Sequence, residues 1–136
     1  MSSPPDHGLG DMIGNSKAFS GFAVGDLRKA QDFYGETLGL GVSVLQDDLL
    51  LSLDVNGDRD VLIYHKPDHE PANFTILNFP VDDVEAAVDE LAGRGVQFER
   101  YDGFEQDEKG IARGPGPLIA WFRDPAGNIL SVVEQS

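Results

Sequence analysis

The four residues Val24-Gly25-Asp26-Leu27 return as Val81-Asp82-Asp83-Val84, and the aspartates at 26 and 83 set a period of 57 residues. In each copy the phrase follows an apolar run of strand type and opens a stretch with helical spacing. A unit of this length buries too little surface to stand alone, so two copies in 136 residues predict one domain whose halves pack together.

The first copy begins near Lys17, with residues 18–24 as a strand. A helix follows, with Leu27, Ala30, Phe33, Tyr34 and Leu38 on one face and Gly39 as its stop. Three strands are expected at 42–46, 49–55 and 60–65, separated by Gln46-Asp47-Asp48 and by the hairpin signal Asn56-Gly57-Asp58. The second copy repeats the order. A strand at 73–81 leads to a helix at 82–94, with Asp82 and Glu85 read as a capping box and Gly95 as the stop. Strands at 96–101, 117–123 and 128–134 complete it, the last two joined by the turn Asp124-Pro125-Ala126-Gly127-Asn128. Residues 1–15 lack periodicity and read as a flexible tail, leaving one domain at 16–136: module one 17–66, a linker 67–72 and module two 73–134.

Composition narrows the function classes. Ten basic against 24 acidic residues leave a net charge of −14, which argues against a nucleic-acid partner and suits a solvated surface or a cationic ligand. No apolar run reaches membrane-spanning length, and the N-terminal residues lack the pattern of a secretion signal. Without cysteine there is neither disulfide nor thiolate chemistry, which fits a cytoplasmic location.

The two βαβββ modules, the phrase Phe33-Tyr34-Gly35-Glu36-Thr37-Leu38-Gly39-Leu40 and the closing Asp124-Pro125-Ala126-Gly127-Asn128 resemble the vicinal-oxygen-chelate superfamily, of glyoxalase and bleomycin-resistance type. The resemblance spans residues 17–134. It implies an α+β fold in which two tandem βαβββ modules form a shared concave mixed sheet with helices on the outer face. It implies a homodimer too. It does not choose among lyases, epimerases, dioxygenases, thiol transferases and non-catalytic drug-binding proteins.

Metal-dependent relatives take one His, Gln or Glu from the first and last strand of each module. Matching the strand-helix junctions places Phe19 and Ile76 at the two first-strand positions, Ile63 or Tyr64 at the third and Ser131 at the fourth. None offers an imidazole or carboxylate, so no metal or other cofactor is expected. Glu134 lies an odd step beyond Ser131, which points it to the opposite face. His65, His69 and Glu70 read as a proline-punctuated solvated linker, and His7 as part of the tail. No nucleophile with a neighbouring base is recognisable, and Ile111 to Pro117 lacks the ending of a phosphate-binding loop. Catalytic residues are not assigned.

The expected ligand pocket comprises Phe19, Tyr64, Ile76, Asn78, Phe104, Trp121 and Ser131, with Gly21, Ala23, Phe74, Ile129 and Val133 on the same inner face. Trp121 enters the cavity if it pairs with Ser131, and falls behind the sheet if the register slips by one. The segment 101–117 is long enough to be a lid over the cavity mouth or a surface excursion. Three readings follow: a metal-free binder of a small organic, drug-like or cationic molecule; an enzyme of the superfamily, with misplaced metal ligands or with groups such as Tyr64 and Arg123; or a dimeric interaction module without a ligand.

Overall fold

The computed structural model describes residues 9–46, 49–55 and 60–135. Module one contains β1 (Gly21–Val24), α2 (Leu27–Asp32), β2 (Gly41–Leu45), β3 (Leu50–Asp54) and β4 (Val61–His65), preceded by a short helix α1 (Leu9–Gly14). Module two contains β5 (Thr75–Val81), α3 (Val84–Gly93), β6 (Ile119–Arg123) and β7 (Ile129–Glu134). The strands hydrogen-bond into two mixed sheets, ordered β1-β4-β3-β2 and β5-β7-β6, with β1 parallel to β4 and β5 parallel to β7.

Repetition extends to backbone angles. Asp26 caps α2 at φ −139, ψ 103 and accepts from the Lys29 amide, while Asp83 caps α3 at φ −140, ψ 103 and accepts from the Ala86 amide. The second cap is therefore Asp83, not the expected Asp82, and the 57-residue period already pairs it with Asp26. Gly39 (φ 76) and Gly95 (φ 93) follow the two helices in the left-handed region that a Cβ disfavours.

Several expected features differ in detail. The helix predicted to continue to Leu38 widens at Phe33–Thr37 into a π-helical turn, closed by a bond from the Leu38 amide to the Phe33 carbonyl. Within the stretch read as a tail, Leu9–Gly14 is helical, with Met12 and Ile13 exposed. The strand expected at 96–101 reduces to a bridge between Phe98 and Phe122. Gln106 explains the loss: its amide donates to the Glu99 carbonyl and accepts from the Tyr101 amide, taking the bonds a neighbouring strand would make. The hairpin signal at 56–58, Asp47, Asp48 and His7 lie outside the described residues. Among the described residues no helix is long and apolar enough to cross a membrane.

The helix-side faces of both modules merge into one core. Val24, Tyr34, Leu51, Leu53 and Ile63 share it with Val84, Val88, Phe122, Leu130 and Val132. Phe33 and Phe122 meet across the modules at 6.4 Å between ring centroids. A polar bolt runs through this core. The Tyr34 hydroxyl donates to Asp124 Oδ2 at 2.7 Å, and the other Asp124 oxygen accepts from the Ala126 and Asn128 amides. Asn128 Nδ2 donates to Asp124 Oδ2 and to the Ala23 carbonyl in β1. His69 Nε2 meets Asn128 Oδ1 at 3.1 Å, and because that oxygen only accepts, the imidazole donates. The two phrases that carry the family resemblance are thus the two halves of one buried network.

Removing the Tyr34 hydroxyl leaves a buried carboxylate short of one donor. Tyr34→Phe should therefore lower unfolding stability by about 1–3 kcal/mol, read from urea denaturation. Burial, followed by the charge and hydrogen bond of Asp124, raises the Tyr34 pKa well above the usual tyrosine range. Above about pH 10, where an unfolded tyrosine ionises, the folded chain holds one proton more than the unfolded chain. Stability should fall as pH rises past that point, and the fall should be shallower in Tyr34→Phe.

Candidate functional site

Each sheet has an inner face, turned away from the helix-side core. On the second sheet, Asn78, Ser131 and Trp121 stand in one row across β5, β7 and β6. Trp121 therefore pairs with Ser131 and lies on the inner face, not behind the sheet. It is 8% exposed, because Tyr101 meets it edge-on at 5.4 Å and Phe104 covers it at 5.0 Å. Ala112 and Ile129 complete this apolar cluster. Ser131 is fully buried and donates its hydroxyl proton to Asn78 Oδ1 at 2.5 Å.

Segment 101–117 is an organised loop. Gln106 ties its start to its middle through Glu99, Tyr101 and Gly110, and Asp107 accepts from the Lys109 and Ile111 amides. Arg113 pairs with Asp107 and Glu85, and Lys109 with Glu85 and Asp89, which pins the loop to α3. These anchors leave the tip at Gly103 and Phe104 over Trp121, with Phe104 still 55% exposed.

On the first sheet, Ile63 is fully buried in the core, so alternation turns Tyr64 to the inner face, beside Ala23 of β1 and Leu50 of β3. Tyr64 is 45% exposed, and Phe19, two residues before β1, is 64% exposed. Ile76 departs from expectation. The register shifts between Thr75 and Leu77, so Thr75 takes the place opposite Ile129 and Ile76 packs against the main core. Phe74 precedes the strand and is exposed. The structure thus gathers Asn78, Ser131, Trp121 and Phe104 into one cluster. Tyr64 lies on the other sheet, and Phe19 in the segment that leads into its β1.

These positions do not fit a divalent cation. They supply the phenyl rings of Phe19 and Phe104, the Trp121 indole, the Ile76 side chain, the Tyr64 phenol and a serine hydroxyl committed to the Asn78 carboxamide, and no imidazole or carboxylate. Glu134 accepts from the Val84 amide at the start of α3, on the helix side, as its odd offset from Ser131 requires. His69 is engaged by Asn128. Among the described residues no three His, Asp or Glu side chains converge as a metal site.

A cleft of about 560 Å³ opens elsewhere, between α2 and β2, lined by Leu27, Arg28, Gln31, Asp32, Val44 and Leu51. Its rim is made of long polar chains with no aromatic ring, so the inner faces make the stronger candidate site. Sequence reasoning missed Tyr101, whose ring completes the cover of Trp121 and whose hydroxyl pKa burial raises. Its spacing from Phe104 within one long loop was the available signal.

The Glyoxalase/Bleomycin resistance protein/Dioxygenase superfamily model matches residues 18–132. Among curated proteins, the chain is 26% identical to the uncharacterized protein YraH of Bacillus subtilis, over 80% of this chain and 90% of that protein. TnmS3, an antibiotic binding protein from Streptomyces sp. CB03234, is 28% identical with a TM-score of 0.65, over 87% of this chain and 93% of that one. Lactoylglutathione lyase from Agrobacterium tumefaciens is 24% identical with a TM-score of 0.62, over 88% and 92%, a likeness of fold alone. The duplicated modules, the matched length and these shared folds place the chain in the Glyoxalase/Bleomycin resistance protein/Dioxygenase superfamily.

Proposed function

We propose that this protein binds a small, planar, partly hydrophobic organic molecule on its aromatic inner faces, without a catalytic metal, and acts by holding that molecule rather than converting it. The observation that supports this reading is the aromatic surface left open around the inner faces. Phe19, Tyr64 and Phe104 keep 64%, 45% and 55% of their surface exposed. Fully burying a side chain of this size is worth roughly 1.5–3 kcal/mol, so such rings gathered on inner sheet faces favour a cover.

A second copy of the chain supplies part of that cover. In the isologous dimer we propose, the first sheet of one protomer closes over the second sheet of its partner, bringing Phe19 and Tyr64 opposite Phe104 and Trp121. A ligand then lies between aromatic walls with Asn78 as a polar contact, an arrangement suited to planar organic compounds. The 28% identity to an antibiotic binding protein supports this class over turnover. The net charge of −14 further favours cationic members of the class at low salt.

The test is a titration of the purified chain with coumarin, naphthalene and 9-aminoacridine, followed by Trp121 fluorescence, with the mass measured by sedimentation. One saturable site per chain for at least one compound, in a particle of two chains, is expected. Tyr64→Ala should weaken binding by about tenfold, equivalent to about 1.4 kcal/mol. A dimer that binds none of the three would favour an interaction module, and chemical conversion of a bound compound would favour an enzyme.

A further inference from the structure

By the family resemblance, Ser131 falls at the position where metal-dependent relatives carry an acidic ligand, and its chemistry there is inverted. A glutamate would present an accepting, negatively charged group to the cavity. Ser131 is instead fully buried, and it spends its one proton on Asn78 Oδ1 at 2.5 Å. Asn78 itself is exposed. With Oδ1 turned towards the Ser131 hydroxyl, the carboxamide presents Nδ2 on its other side, and that nitrogen donates to no other group among the described residues. Its strand, β5, is an edge of the second sheet, with no further strand paired beside it among the described residues.

The row Asn78, Ser131, Trp121 spans two strand spacings, about 10 Å, close to the length of a substituted fused bicycle. Ser131 and Trp121 are buried in this row, so a ring system over it would touch the exposed face of Phe104 at one end and meet the Asn78 N–H groups at the other. We infer that Ser131 is a positioning residue that locks Asn78 as a hydrogen-bond donor, so that the site selects planar ligands bearing a neutral acceptor oxygen, a carbonyl above all, over hydrocarbons of the same shape. The inference rests on the ligand-binding reading given above and specifies its chemistry. An unpaired N–H left against an apolar ring loses the water it bonds when the site is empty, and this disfavours the hydrocarbon.

Coumarin and naphthalene are bicycles of nearly equal size, with and without a ring carbonyl. Their dissociation constants, measured by equilibrium dialysis on the full chain, its Asn78→Asp, Ser131→Ala and Ser131→Thr variants, test the inference. The native chain should prefer coumarin by about tenfold. Asn78→Asp, an acceptor of the same shape, should abolish that preference while leaving naphthalene binding within about twofold. Ser131→Ala should reduce the preference, and Ser131→Thr, which keeps the hydroxyl, should restore it. Equal affinity of the native chain for both compounds, or equal weakening of both by Asn78→Asp, overturns the inference and leaves Asn78 a plain wall. Failure of the native chain to bind either compound overturns the ligand-binding reading itself, and the inference with it.

Discussion

Asp124 receives hydrogen bonds from the Tyr34 hydroxyl, the Asn128 side chain and two backbone amides, all within a core that joins the modules. A buried carboxylate needs such donors, because removing it from water without them costs several kcal/mol. Each donor comes from a different structural task. Tyr34 reaches inward from the π-helical turn after α2, the amides belong to the β6-β7 turn, and Asn128 also holds the Ala23 carbonyl of β1. One residue thus fixes how the helix of module one, its first strand and the last hairpin of module two sit together. The inner faces take their orientation from that arrangement, since Ala23 and Tyr64 are register partners in one sheet and Asp124 directly follows β6 of the other.

Above this framework, the inner face of the second sheet gathers Asn78, Ser131, Trp121 and Phe104 into one cluster. Glu134, the nearest carboxylate in β7, is turned to the other side, where it accepts from the start of α3.

Much of the fold was readable in the sequence. The 57-residue repeat predicted the module order, and it paired Asp26 with Asp83 even though local capping signals pointed to Asp82. The turn at 124–128 marked the last hairpin but left two registers open, and the observed one pairs Trp121 with Ser131. What escaped depends on contacts between distant residues or on single-residue irregularities. A bulge at Ile76 follows no periodic signal, yet it shifts that side chain into the core. Gln106 replaces a strand with one side chain, which no propensity scale encodes. Tyr34 and Asp124 lie 90 residues apart, and each reads locally as an ordinary helix or turn residue.

The central claim is that the inner faces hold an organic ligand without a metal ion. Calorimetric titration of the protein, purified without chelator, with Mn, Ni, Zn and Fe(II) tests it most directly, alongside the metal content of the untreated sample. The account predicts no stoichiometric metal in the sample and no binding tighter than the millimolar range. One ion per chain bound at micromolar affinity or better would contradict it and return the protein to the metal-dependent branch of its superfamily.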